Sequence, residues 1–368
     1  MKKIVCLILV FSMLMFALIG CRQETDTSAN ASADEKVSAD SSDSTNKECT
    51  SSKPLNVACI VFSSGIPVLY ANDMGWFEEA GLNVNLEVFA NGALVNEAIA
   101  AKEIDIAVSG FASVYALAAS DCTWLADVNN NNSITIFARP ESDIVAATGY
   151  ALDSSIIGSA ETIRGSKVVC NLGTSSQYNV DTYLNQFGLT ESDVEMIQMD
   201  FSTGYQAFIA GEGDLIATSN PYSADLAAAG YVNVGTLTAT SGVELMDGCF
   251  ARNKVLDERA GDVKIFLQVL LRAMDALQDE DVRFDYSLNK FAEIGNAYTE
   301  TGLRNEFEVV DYVGTDYISQ DDYVLGSAWA PISEWLFSIG KITADNLPNV
   351  EKSINGSLLR EASGLDIN

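Results

Sequence analysis

Histidine is missing altogether from the 368 residues, and lysine and arginine together number 21 against 51 aspartates and glutamates, a formal net charge of -30. The first absence removes imidazole as a general base, as the partner of a nucleophilic serine and as a metal ligand. The second excludes nucleic acid and anionic lipid as partners, because a surface of that sign repels phosphate. A small anion in a local pocket remains allowed, since surface charge is screened over about 8–10 Å while pocket dipoles act at contact distance. Neither Gly-x-Ser-x-Gly nor Gly-x-Gly-x-x-Gly occurs. Catalysis, a cofactor and a metal are therefore not expected. The cysteines are scattered singly, with no metal-ligand spacing. Once Cys6 and Cys21 are set aside, five remain (Cys49, Cys59, Cys122, Cys170 and Cys249), an odd count that argues against a complete disulfide framework. Cys59, Cys170 and Cys249 lie in apolar, strand-like runs and read as buried thiols.

Only one long apolar run is present. Lys2 and Lys3 precede a stretch from Ile4 to Ile19 that stops at Gly20-Cys21. The stretch is shorter than the roughly 20 residues that span a bilayer and reads as an export signal, residues 1–20. Leu18-Ile19-Gly20-Cys21 resembles a lipobox, which implies acylation of Cys21 and anchoring on the extracytoplasmic face of the cell membrane. Residues 22–53 are Ser, Thr, Asp, Ala, Asn and Glu with almost no large apolar side chain, too few to offset the entropy of ordering. They read as a tether carrying a body that begins at Pro54.

That body exceeds the size at which one core is comfortable, so two lobes are expected. Strand and helix patterns alternate. Strands are read at 55–61, 83–89, 104–108, 134–138, 167–171, 194–199, 215–218 and 243–251, and helices at 66–79, 93–102, 111–119, 176–187, 205–210, 222–229, 262–278, 287–297 and 327–339. The alternation implies an α/β fold with mostly parallel sheets flanked by helices. Crossings between lobes are placed at 138–143 and 236–243, giving a first lobe of 54–140 plus 240–368 and a second of 141–239. Asp127, Asn129 and Asn131 have the spacing of a calcium loop. However, Asn132 stands where a sharp turn wants Gly and Ala138 where a bidentate Glu belongs, so 127–133 reads as a polar surface loop.

Five stretches carry a resemblance: 65–82 (GIPVLYANDMGWFEEAGL), 100–110 (AAKEIDIAVSG), 164–178 (RGSKVVCNLGTSSQY), 207–217 (AFIAGEGDLIA) and Asn220-Pro221-Tyr222. In this order they resemble the solute-binding proteins of ABC importers for nitrate, sulfonates, taurine and thiamine precursors. Lys102-Glu-Ile-Asp105 departs from the family pattern in lacking a glycine, and Asn220-Pro-Tyr in lacking a tryptophan. The resemblance implies a two-lobe periplasmic-binding-protein fold of type II with a ligand cleft between the lobes. It also implies a monomeric protein that captures a small molecule and hands it to permease and ATPase subunits. A pyrimidine-forming enzyme of the same fold is opposed by the lack of histidine. A binding protein for a pyrimidine thiamine precursor and a non-transport ligand sensor stay open. A sensory ectodomain would need a transmembrane helix and an output domain, which the sequence up to Asn368 does not supply.

In open α/β sheets ligands lie beyond the carboxyl ends of the strands. The loops that qualify supply Ser64, Gly65 and Ile66; Ser109, Gly110 and Phe111; Gly173, Thr174, Ser175 and Tyr178; and Asn220 and Tyr222. Each combines small or hydroxyl side chains with a helix start, whose free N–H groups suit an anion or polar oxygen. These loops contain no Lys or Arg, which disfavours nitrate and bicarbonate; Arg139 and Arg252 near the crossings are the nearest candidate cations. The expected solute is an organic molecule with a sulfonate or carboxylate end at Gly173-Thr174-Ser175, its body against Phe111, Tyr178 and Tyr222. Asp247 in the returning strand is placed to meet an amine.

Overall fold

The computed structural model describes residues 53–119 and 121–367. The export signal, Cys21, Cys49 and all of the tether but Lys53 lie outside the described residues.

Among the described residues, ten strands form two sheets. They are β1 Leu55–Ile60, β2 Val84–Phe89, β3 Ile106–Ser109, β4 Cys122–Asn130, β5 Thr135–Ala138, β6 Lys167–Cys170, β7 Glu195–Gln198, β8 Leu215–Thr218, β9 Val232–Thr236 and β10 Met246–Arg252. The orders are β2-β1-β3-β10-β4 and β7-β6-β8-β5-β9. In each sheet four strands share one direction and one opposes both its neighbours, β10 in the first and β5 in the second. Both opposing strands are the ones that enter directly after a crossing. The chain thus arrives in each lobe reversed and then winds by right-handed β-α steps, which keep the remaining strands parallel.

The first crossing is 131–134, not 138–143, because Thr135–Ala138 pairs with β8 and β9 at the centre of the second sheet. Residues 135–140 therefore join the second lobe. The return runs through the helix Leu237–Ser241 into β10. The two crossings touch, with the Asn131 amide donating to the Leu245 carbonyl at 2.7 Å.

The expected helix over 66–79 is two helices, Ile66–Asp73 and Trp76–Glu79, parted by Gly75 at φ 70°. Left-handed backbone cannot continue a right-handed helix. The helix expected from 262 runs to Ala276 after a kink at Arg259, with a further helical stretch from Asn253 before the kink, and the one expected at 287–297 is Glu280–Glu293. The segment read as a surface loop, 127–133, is for the most part the end of β4. Asp127 and Asn129 are each 1% exposed there.

The second sheet shows why its strands read as unbroken apolar runs. Ile136, Val168 and Leu215 face one cluster with Tyr183 and Leu184, while Phe137, Val169 and Ile216 face the other with Phe208. Successive side chains point to opposite faces, and both faces are covered by helices. The first lobe holds the larger core, around Trp124, Phe250, Phe266 and Trp329. Cys59, Cys122, Cys170 and Cys249 are buried free thiols; burial pushes the first three up to about 12.

Gly248 lies where β10 packs closely on β4. A Cβ there would sit 2.3 Å from the Ala126 carbonyl oxygen and 2.3 Å from the Trp124 ring. Neither can retreat, so Gly248→Ala is expected to cost about 3 kcal/mol in denaturant unfolding. A loss under 1 kcal/mol would show that the sheet yields more readily than this contact implies.

Candidate functional site

A cavity of about 730 Å³ lies at the carboxyl ends of the strands of both sheets. First-lobe loops bring Ile60 to Phe62, Ala90 to Ala93 with Asn96, and Ser109 to Ala112 with Tyr115. Second-lobe loops bring Asn171 to Ser175, Asp200 to Ser202, and Ser219 with Tyr222. The crossings add Asn131, Ile134 and Leu245, and β10 adds Asp247.

Of the expected residues, Ser109, Gly110, Phe111, Gly173, Thr174, Ser175, Tyr222 and Asp247 meet at this cavity. Ser64, Gly65, Ile66, Tyr178 and Asn220 do not line it. Ser64 and Ile66 are fully buried under the first sheet's end, and a Cβ on Gly65 would lie 2.2 Å from the Ile60 carbonyl oxygen. Gly65 thus permits close backbone packing there. Tyr178 packs against Trp335 with ring centroids 5.0 Å apart, and Phe111 closes the trio at 6.3 Å from Tyr178 and 6.0 Å from Trp335. Its role is packing between the lobes. The Asn220 side chain accepts from the Ala224 amide at 3.1 Å and from the Ser223 hydroxyl, capping its helix.

Glu306 was not foreseen. Its buried carboxyl accepts from the Ser63 hydroxyl, and its other oxygen has no hydrogen-bond partner. Burial holds that carboxyl above its usual range, against the lowering effect of Ser63, Asn220 and Arg283. Nothing local marks Glu306, which lies in a helix of the first lobe far along the chain. Asn96 was also missed.

On the second-lobe wall, Gly173 at φ 76° makes the turn into the helix Ser175–Asn185. The Thr174 hydroxyl caps that helix, accepting from the Ser176 amide at 3.2 Å and donating to the Asn171 carbonyl at 2.7 Å. The Gly173 amide is already taken by the Gln177 side chain at 2.6 Å. The amides of Thr174 and Ser175 have no acceptor within the helix and give this wall a partial positive charge.

The candidate cations are both engaged elsewhere. Arg139 donates to the carbonyls of Phe208, Glu212 and Gly213 and lies 4.4 Å over the Phe208 ring. Arg252 pairs with Asp105 at 2.6 Å and donates to the Ile104 carbonyl. The cavity lining contains no Lys or Arg; its charged residues are Asp200 and Asp247.

Two lobes of mixed sheet flanked by helices, joined by adjacent crossings over a shared cavity, define the periplasmic-binding-protein class of fold. The chain belongs to the NMT1/THI5-like family, whose model matches residues 63–281. It is 27% identical over 311 residues to a Brachyspira hyodysenteriae protein named as an ABC transporter periplasmic binding protein, covering 84% of this chain and 89% of that one. Among solved structures it resembles the alkanesulfonate-binding protein SsuA of Xanthomonas axonopodis pv. citri, with TM-score 0.62, 15% identity and coverage of 83% and 98%. It also resembles the nitrate-binding protein NrtA of Synechocystis PCC 6803, with TM-score 0.63, 14% identity and coverage of 84% and 88%. The fold, family and class are therefore those expected from the five sequence stretches.

Proposed function

We propose that the protein is the extracytoplasmic, lipid-anchored solute-binding component of an ABC importer. It captures a small organic solute by closure of its lobes and delivers it to the permease, without catalysing a reaction. The observation that carries this reading is a cavity built by loops of both lobes, which among the described residues are joined by two short chain passages. A solute touching both walls gains contacts in the closed form that it lacks in an open one, and that difference drives closure. The Thr174 and Ser175 amides suit a carboxylate or sulfonate oxygen, and Phe111 and Tyr222 offer apolar faces to the body of the molecule. Cys21, behind the export signal, would hold the protein at the membrane beside its permease.

A thermal-shift screen tests the binding claim. A true ligand at a hundred times its Kd adds about 2.7 kcal/mol of stability. Thr174→Glu, which puts a carboxylate against the amides of that wall, is expected to abolish the shift while losing only about 1 kcal/mol of capping. An undiminished shift in the variant would place the ligand elsewhere. For the anchor, Cys21→Ala should release the protein from the membrane fraction; full retention there contradicts lipid attachment.

A further inference from the structure

Resting on that reading of the cavity, we propose that the solute presents a protonated amine or amidinium nitrogen to Asp247. The protein then captures an organic cation or zwitterion and rejects simple anions.

Asp247 is 3% exposed yet lines the cavity. One carboxylate oxygen accepts from the Asn131 side-chain amide at 3.3 Å. The other lies beside Gly110, where a Cβ would come within 2.4 Å of it. Only glycine leaves that oxygen approachable along β3. No Lys or Arg among the described residues pairs with Asp247, and none lines the cavity. The charged group acting on it is Glu306, also an acid. Asp127 on the neighbouring β4 is committed to Trp124, Tyr323 and Gly326. Burial therefore pushes the Asp247 carboxyl up to about 7.

The surrounding wall also carries polar oxygens without partners. The Ser109 hydroxyl, 1% exposed, has no hydrogen-bond partner, and it points to Gly92 on the same cavity. The Asn96 amide nitrogen donates to the Ala112 carbonyl at 2.7 Å, which fixes its orientation and leaves its oxygen without a partner. A buried carboxylate with no cation of its own, flanked by open oxygens, is satisfied by a ligand that brings both a positive charge and N–H donors. The opposite wall at Thr174 and Ser175 takes an accepting end if the solute has one.

The test compares benzamidine, benzylamine and 4-aminobutyrate with benzoate, benzenesulfonate and butyrate, by thermal shift and calorimetry at pH 8, in wild type and Asp247→Asn. The nitrogen-bearing member of each set is expected to bind more tightly, and the variant to weaken it about 100-fold. Between pH 6 and pH 8 the wild-type affinity for these probes should rise as Asp247 ionises, and the variant's should stay flat. Tighter binding of the anions, or equal binding by the variant, overturns this inference and leaves solute capture standing. Stabilisation by neither set counts against both.

Discussion

Asp127→Ala is expected to lower unfolding stability by about 3–5 kcal/mol, the range for breaking a buried, fully bonded ionic group. The Asp127 carboxylate sits at 1% exposure and accepts from the Trp124 indole at 2.8 Å, the Tyr323 hydroxyl at 2.9 Å and the Gly326 amide at 3.1 Å. It joins β4 to the segment 323–326, far away in the chain, and fixes the edge of Trp124. That ring lies fully buried, 4.7 Å from Trp329 in an edge-to-face pair. Truncation strands three buried donors and opens space beside the first lobe's largest side chains. Burial raises the carboxyl's affinity for a proton and the three bonds oppose that, so the bonds offset much of the cost of burying the charge. Asp127→Asn keeps the shape but only one acceptor oxygen, and should lose about 1–3 kcal/mol. An Ala variant within 1 kcal/mol of wild type would show that the network contributes little.

The second large effect has the opposite sign. Asp247→Asn should stabilise the ligand-free protein at pH 8 by up to about 4 kcal/mol, the equivalent of a carboxyl raised from 3.8 to about 7. A raised carboxyl means that the folded state holds the proton more tightly than the unfolded chain. Its contribution is therefore fully present below pH 3.8 and is lost as pH rises to about 7. Wild type should lose stability across that window relative to the Asn variant, and the two should converge in acid. Glu306 is shifted the same way and acts on Asp247, so the difference between the two curves reports Asp247 together with its coupling to Glu306. Parallel curves would show that Asp247 is compensated in the native state.

The same residues show what sequence can and cannot convey. β8 is legible to the residue, Leu215–Thr218, because three apolar positions and a threonine are bounded by an acidic turn and a Ser-Asn-Pro break. β4 does not read as a strand: its end, Asp127-Val-Asn-Asn, looks solvated, and the Asp127 partners other than Trp124 are residues about two hundred positions away. The misplaced crossing has a similar cause: Ile134 to Ala138 reads as a strand in either lobe, and only pairing with β8 and β9 decides. For the cavity, glycine and hydroxyl residues after strands point to Ser109, Gly110 and Thr174, which line it. Ser64, Asn220 and Tyr178 carry the same local signal but turn into packing, capping or the lobe interface. Which way a loop side chain faces is set by tertiary contacts. Arg139 illustrates the converse: its charge is spent on three carbonyls that no local pattern announces.

Capture by closure is tested most directly by small-angle X-ray scattering on the protein with and without the solute that stabilises it most. The account predicts a smaller radius of gyration at saturation, and no such change when the same solute is added to Thr174→Glu. A radius unchanged at full occupancy of the wild-type cavity would contradict it.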